Sequence, residues 1–413
     1  MGLMQEIAVK ARAAARSLAV TSSADKNAAL ELMAKLLEKR AAELKEANAR
    51  DLERAGGLSG AMVDRLRLDD ARIVKMAAGV SQVAGLPDPV GEELGRRTRP
   101  NGMRIVKKRV PIGVVAIIYE SRPNVTADAA SLCLKSGNAV ILRGGKESID
   151  SNVAIGRVLS DALTQSGLPA DAIQVVSTTD RAVVGELLRL DSLIDLVIPR
   201  GGKGLIRRVV EESTIPVIKH YEGICHVYVD KAADLAMATS IAVNAKVQRP
   251  GVCNAMETLL VHVDVASGFL PDVAKALGEA GVTIRGCDKA RAILPELEAA
   301  TEDDYRTEWL ELKMSLRVVD DLRAAVDHIE TYGSHHSDSI VTADEEAARF
   351  FLDNVDSACV FHNVTTRYSD GFEFGMGAEI GISTDKLHAR GPMGLEELTS
   401  YKYEVLGEGQ IRT

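Results

Sequence analysis

Cys253 stands in the stretch Asn244 to Glu257, N-A-K-V-Q-R-P-G-V-C-N-A-M-E, directly behind a Pro-Gly break and ahead of an apolar, strand-like run. The chain holds such a thiol on both sides while it can still face a cleft. That suits a nucleophile, because thiolate attack needs a fixed trajectory as well as a lowered pKa. The opposing reading is an inert core cysteine, since cysteine is among the most buried residue types. That reading is given to Cys133, Cys225, Cys287 and Cys359. Asn124, in Y-E-S-R-P-N-V-T after a strong strand signal, is either a turn asparagine or an amide placed to hold an oxyanion. A fixed thiol and an oxyanion donor would together perform acyl transfer.

Two glycine loops follow expected strands: Arg143-Gly144-Gly145-Lys146 and Arg200-Gly201-Gly202-Lys203-Gly204. Glycines let backbone N–H groups approach a phosphate, and a helix start beyond them favours negative charge. Neither loop is a G-x-x-x-x-G-K-[ST] sequence, and no G-x-G-x-x-G follows a strand; G-M-G-A-E-I-G at 375–381 has the wrong spacing. The loops are therefore read either as cofactor cradles or as ordinary strand-to-helix turns. An anionic substrate needs local cations, and Arg122, Lys219, Arg249 and Arg390 sit in or beside the motifs. Arg249 lies four residues before the thiol. His335 and His336 are adjacent, so they point in different directions; the expectation is a hydrogen-bonded loop and no metal.

Elements that could position these groups recur as a strand-helix rhythm. Strands are expected at 113–118, 139–142, 173–176, 194–198 and 216–218, then at 226–229, 257–263, 314–319, 339–342 and 358–361. Continuous apolar strands alternating with helices point to parallel sheets covered on both faces. Residues 2–50 read as helix, with Ser22, Ser23 and Asp25 as capping oxygens; 56–60 reads as a loop and 69–85 as a further helix. The basic stretch 99–110 alternates Arg and Lys with Met103, Ile105, Val106 and Val110, which predicts a ribbon strand outside the main sheets. No aromatic residues interleave it for base stacking, which argues against nucleic acid.

At 413 residues with 46% hydrophobic content, the chain is long enough for two or more domains. A net charge of -9 argues against nucleic acid or anionic membrane as the main partner. Five scattered cysteines exclude a simple disulfide framework and give no zinc spacing, so a reducing cytoplasm is expected. No apolar run of roughly 18 residues predicts a membrane span. Lys10, Arg12 and Arg16 among alanines read as an ordinary surface helix rather than a transit peptide, given Glu6 and the helical pattern beyond.

The order P-I-G-V-V-A-I-I, R-P-N, N-A-V-I-L-R, Q-R-P-G-V-C-N-A and G-P-M-G-L-E-E-L-T-S-Y-K resembles the aldehyde dehydrogenase superfamily from end to end. Y-E-S-R-P-N-V-T, V-I-P-R-G-G-K, H-Y-E-G-I-C-H-V-Y-V-D, Y-G-S-H-H-S-D and T-D-K-L-H-A-R-G-P-M-G resemble its glutamyl phosphate-reducing branch. The resemblance implies an α/β fold of two doubly wound domains plus a small β oligomerisation ribbon. It implies an NADP-binding domain at 1–98 and 111–223, a catalytic domain at 224–390 carrying Cys253, and oligomerisation segments at 99–110 and 391–413.

The implied activity is NADPH-dependent reduction of L-glutamyl 5-phosphate to L-glutamate 5-semialdehyde in proline biosynthesis. The alternative is another acylating or hydrolytic aldehyde dehydrogenase. Cys253 falls on the family's nucleophile, Asn124 on its oxyanion asparagine, Arg143 near the adenosine ribose, and Glu311 on the glutamate that contacts the nicotinamide ribose. The implied partners are the small-molecule substrate, glutamate 5-kinase as upstream enzyme, and further copies of the chain in a dimer or tetramer. One departure stands out. Hydrolytic members activate water with the glutamate of E-L-G-G-K, whereas Glu222 in H-Y-E-G-I-C-H lies about one residue out of register, so it is not given that role.

Overall fold

The N-terminal 50 residues do not form one helix but three, Leu3–Leu18, Ser23–Lys39 and Ala41–Glu53, in a computed structural model describing residues 2–412. The break at Thr21–Ser22 is a cap: Ser22 Oγ accepts from the N–H of Asp25 at 3.1 Å, answering a donor that the helix start leaves unpaired. Ser59 caps a fourth helix in the same way, so Gly60 begins helix Gly60–Leu66 rather than closing a loop. Asp69 caps the fifth, Asp70–Gly85.

Contacts divide the chain into two compact units: Met1–Lys219 with Gly375–Gly381 and Met393–Thr413, and His220–Phe374 with Ile382–Pro392. In the first unit, β1 (Glu93–Thr98) and β2 (Arg104–Pro111) form an antiparallel hairpin, and β2 is the middle strand of a three-stranded sheet. Its other neighbour is the C-terminal strand Thr399–Leu406, antiparallel to it from Thr399 opposite Pro111 to Leu406 opposite Arg104. The basic ribbon thus starts at Arg104, later than its charge pattern indicates, because residues 99–103 make the hairpin turn, with Gly102 at φ 84°. Both of its edges are satisfied within the chain.

The same unit holds a four-stranded parallel sheet in the order β5-β4-β3-β6. Its strands are β3 (Val114–Tyr119), β4 (Ala139–Arg143), β5 (Ile173–Val175) and β6 (Leu196–Arg200). All six residues of β3 and the first four of β4 are buried, as strands covered on both faces must be. The expected strand at 216–218 reduces to a single parallel bridge, Val197 to Val217. Pro216 lacks the N–H that a continuing ladder would use.

The second unit is built on a seven-stranded parallel sheet in the order β10-β9-β11-β8-β7-β12-β13. Its strands are β7 (Cys225–Val229), β8 (Met256–His262), β9 (Thr283–Gly286), β10 (Glu298–Ala299), β11 (Lys313–Val319), β12 (Ser337–Val341) and β13 (Cys359–His362). Strand alternation splits its core in two. Val227, Val229, Leu259, Val261, Leu316 and Val318 face one cluster with Phe269 and Leu270 of helix Val263–Glu279. Tyr228, Leu260, Val319 and Ile340 face the other, with Ile329 and Phe351. Among the described residues no helix is long and apolar enough to cross a membrane.

Candidate active site

In the second unit, Cys253 lies on a tight turn between helix Leu235–Val247 and β8 and is half-buried. The turn is fixed on several sides. Gly223 presses on it so closely that a Cβ built there would lie 1.9 Å from the Cys253 carbonyl oxygen. The Cys225 thiol donates to that same oxygen at 3.2 Å. On the following residue, the Asn254 amide donates to Ser369 O at 2.8 Å, and Asn254 O accepts from Thr366 Oγ1 at 2.8 Å. Beneath the turn, Lys246 at the helix end and Glu257 at the strand start form a fully buried ion pair of 2.6 Å. Burial pushes the Lys246 ammonium down and the Glu257 carboxyl up, while each partner opposes the other's shift. Breaking such a pair costs about 3–5 kcal/mol, so it clamps both ends of the nucleophile's loop.

Of the other cysteines of this unit, Cys287 is half-buried like Cys253, not fully buried as expected, but its sulfur accepts from the Val318 N–H at 3.3 Å and packs on the core. Burial raises the Cys225 thiol well above its ordinary pKa, and Cys359 Sγ accepts from Ser369 Oγ inside the fold. His336 Nδ1 faces Cys225 Sγ at 3.7 Å and Ser337 Oγ at 2.9 Å, and His335 Nδ1 faces Asp356 O at 2.9 Å.

Glu308 accepts from the N–H of Gly223 at 2.9 Å, whereas Glu311, three residues on, is exposed. Leu310 between them takes a left-handed φ of 55° and donates its N–H to Glu257 at 3.4 Å. Glu222 is half-buried, directly before the Gly223 contact. Arg249 is exposed on the turn, and Arg367 is its electrostatic neighbour. Arg390 is engaged elsewhere: its two Nη groups donate to Asp356 Oδ1 at 2.8 Å and Asp356 O at 2.7 Å. With Lys386 on the same carboxylate, Asp356 is pulled down to about 2.

In the first unit, Asn124 opens helix Asn124–Lys135 and is exposed, and its amide donates to Asp128 Oδ2 at 2.9 Å. Burial pushes the Asp128 carboxyl up to about 6, against the Asn124 hydrogen bond and the charges of Arg200 and Lys75. Arg122 is exposed, two residues earlier, and Lys219 is half-buried at the end of the unit's first segment.

The two glycine loops differ. After β4, a Cβ on Gly144 would lie 2.1 Å from Nδ2 of the buried Asn152, whereas one on Gly145 would meet Glu147 Oε2 at 2.7 Å and the Ser121 N–H at 3.2 Å, so Gly144 is the more tightly enclosed. Arg143 donates to Gly144 O at 2.9 Å, and its buried Nε has no partner among the described residues. Burial, then the charges of Arg181 and Arg208, lower its pKa, with Glu147 and Asp180 opposing. Arg143 thus stands beside a loop of small residues with a buried donor to spare, a setting that fits a phosphorylated nucleotide, and Arg181 and Arg208 lie within electrostatic reach, Arg208 paired with Glu212 at 2.8 Å. Lys146 begins the short helical turn that follows. After β6 the protein supplies its own anion: Glu120 accepts from the N–H of Gly202 at 3.0 Å and lies against Gly201. Arg200 packs on Gly381, which has no room for a Cβ.

With parallel α/β sheets in both units, the chain belongs to the aldehyde dehydrogenase family, whose sequence pattern matches residues 4–291. It is therefore an oxidoreductase acting at the aldehyde level with a nicotinamide cofactor. Among its relatives, the γ-glutamyl phosphate reductase of Moorella thermoacetica is 58% identical over 98% of this chain and 97% of its own length. The γ-glutamyl phosphate reductase of Carboxydothermus hydrogenoformans is 56% identical over 98% of each chain. The crystal structure of γ-glutamyl phosphate reductase from Thermotoga maritima superposes with a TM-score of 0.98, at 46% identity and full coverage of both chains.

Proposed function

We propose that this chain reduces L-glutamyl 5-phosphate to L-glutamate 5-semialdehyde with NADPH, releasing phosphate, as a step of proline biosynthesis. The observation that carries this reading is the 58% identity to a γ-glutamyl phosphate reductase across 98% of the chain. The clamped Cys253 turn supports the chemistry. The thiolate attacks the acyl carbon, the bond from that carbon to the phosphate oxygen breaks, and phosphate leaves with the electron pair. Asn124 and the backbone N–H of Cys253 are assigned to the oxyanion. NADPH, when bound, supplies the hydride that reduces the resulting thioester. The C–S bond then breaks and Cys253 regains its thiolate as the aldehyde departs.

For the cofactor, Arg143, Gly144, Gly145 and Lys146 are favoured over Arg200, Gly201 and Gly202, because Glu120 already answers an amide of the second loop. Glu311 is assigned to the nicotinamide ribose, as the family resemblance implies. Arg249 is the first candidate for substrate phosphate, with Arg122 and Lys219 behind it. Arg390 comes last because Asp356 engages it. A glutamate 5-kinase would supply the acyl phosphate. The ribbon of β1, β2 and the C-terminal strand, with Tyr401, Tyr403 and Val405 exposed, is assigned to contact between copies in a dimer or tetramer.

The test runs the reaction in the oxidising direction. NADP reduction by glutamate 5-semialdehyde is expected to be nearly absent without inorganic phosphate and to saturate as phosphate is added, ahead of a panel of other aldehydes. Sustained turnover in phosphate-free buffer that disappears in Glu222→Gln would instead mean a hydrolytic aldehyde dehydrogenase.

A further inference from the structure

Arg367 lies outside the motifs quoted above, on the short helical turn Thr366–Tyr368 that leads away from β13. That turn is fastened to the nucleophile's loop at two points. Thr366 and Ser369, on either side of Arg367, bond Asn254, the residue after Cys253. Arg367 itself donates from Nε to Gln248 Oε1 at 2.9 Å, the residue before Arg249. Its guanidinium is thus tied to the loop next to the cationic residue, while its own turn is fastened next to the nucleophilic one. Its two Nη groups, four of its five N–H donors, have no acceptor among the described residues.

The charges around it are of both kinds. Burial and then Arg249 make the Arg367 cation harder to hold, while Asp370 and the Cys253 and Cys225 thiols favour it. The Arg249 and Arg367 guanidinium groups lie within electrostatic reach of each other and of the Cys253 thiol. A dianion would complete the set, because a guanidinium fork and phosphate oxygens match in geometry as well as charge.

Resting on the reductase reading above, we infer that Arg367 and Arg249 together receive the phosphate that leaves when Cys253 is acylated. The breaking bond joins the acyl carbon, which Cys253 attacks, to a phosphate oxygen, so the leaving group starts within one bond of the carbon under attack. A cation seated beside the thiol therefore meets phosphate in preference to the amino acid end of the substrate, several bonds further along. In the reductive direction the pair takes up the charge that develops on the departing oxygen. In the oxidative direction it holds inorganic phosphate against the thioester and lowers the entropic cost of attack.

The experiment compares wild type, Arg367→Gln and Arg367→Lys in two assays. In steady-state NADP reduction by glutamate 5-semialdehyde, Arg367→Gln is expected to raise the KM for inorganic phosphate about tenfold or more while leaving the KM for semialdehyde nearly unchanged. Arg367→Lys, which keeps the charge without the fork, should fall between the two. The second assay needs no turnover: Cys253 is alkylated with iodoacetamide in the apoprotein and followed by peptide mass. Phosphate should slow wild-type alkylation saturably, with the half-saturating concentration moved about tenfold in Arg367→Gln. An unchanged phosphate KM, a raised semialdehyde KM alone, or wild-type alkylation insensitive to phosphate would each overturn the assignment. A wild type with no phosphate-dependent turnover would instead sink the reductase reading, and the alkylation assay would still judge Arg367 separately.

Discussion

Gly223 and Cys253 share a backbone-to-backbone contact that no side chain can enter: a Cβ on Gly223 would lie 1.9 Å from Cys253 O and 2.5 Å from Cys253 Cα. Since the atoms in the way are main chain, no rotamer change relieves the clash. Gly223→Ala is therefore expected to move the nucleophile's turn, lowering kcat by about 100-fold for a displacement near 1 Å. Overpacking should also cost about 1–3 kcal/mol of stability. Steady-state kinetics and urea unfolding on the purified variant check both, and near wild-type kcat would show that the turn yields without consequence.

Cys253→Ala should abolish turnover while the fold and NADPH binding persist, because the acylation route has no other thiol in the same setting. Cys225→Ala should keep most activity and lose stability, since its buried thiol donates to the Cys253 carbonyl. Cofactor titration by fluorescence alongside the activity assay separates binding from chemistry. Substantial activity in the Cys253 variant would overturn the thioester route.

Arg143→Ala should raise the KM for NADPH much more than that for NADH. The guanidinium, with Arg181 and Arg208 near it, is read as the partner of the 2′-phosphate. Kinetics with each cofactor decide the matter, and equal effects on both would take Arg143 away from the 2′-phosphate.

Asp128 gives a pH signature with a definite sign. Its folded carboxyl titrates at about 6 against an ordinary 3.8, so from about pH 4 to 6 the unfolded chain ionises while the native state keeps its proton. Ionisation of the unfolded state alone removes native stability as pH rises. The stability of wild type relative to Asp128→Asn should therefore decline from pH 4 to 6 and level off above. Denaturant unfolding of both proteins across that range measures it, and a flat difference would mean that the carboxyl titrates normally.

How much of this was legible in the sequence depends on how local each feature is. The Pro-Gly break before Cys253, the buried runs of β3 and β4 and the Ser22 cap are local patterns, and they sit where the sequence puts them. β1 was not told apart from the basic stretch that its Arg96 and Arg97 open, because E-L-G-R-R-T is exposed throughout and Leu94 is its one apolar side chain. The carboxylates Glu120 and Glu308 and the cations Arg181, Arg208 and Arg367 escaped for another reason. Glu120, Glu308 and Arg367 meet their partners through distant parts of the chain, as Glu308 meets Gly223, and Arg181 and Arg208 come within reach of Arg143 only in the fold. Glu311 rests on the family resemblance, and it is the unmarked Glu308, three residues earlier, that meets the Gly223 backbone.

The placement of Thr399–Leu406 beside β2 has a consequence for biosynthesis. Arg109 in β2 bonds Thr399, which lies 290 positions later, so the small sheet cannot close until nearly the whole chain has been made. At about 5–20 residues per second, that interval lasts roughly 15–60 s. During it, one side of β2 carries unpaired amides and carbonyls among Lys107, Lys108 and Arg109. Like charges along such an edge discourage two nascent chains on one messenger from pairing prematurely. The basic stripe can thus act as a guard during translation, before it serves any purpose in the finished protein.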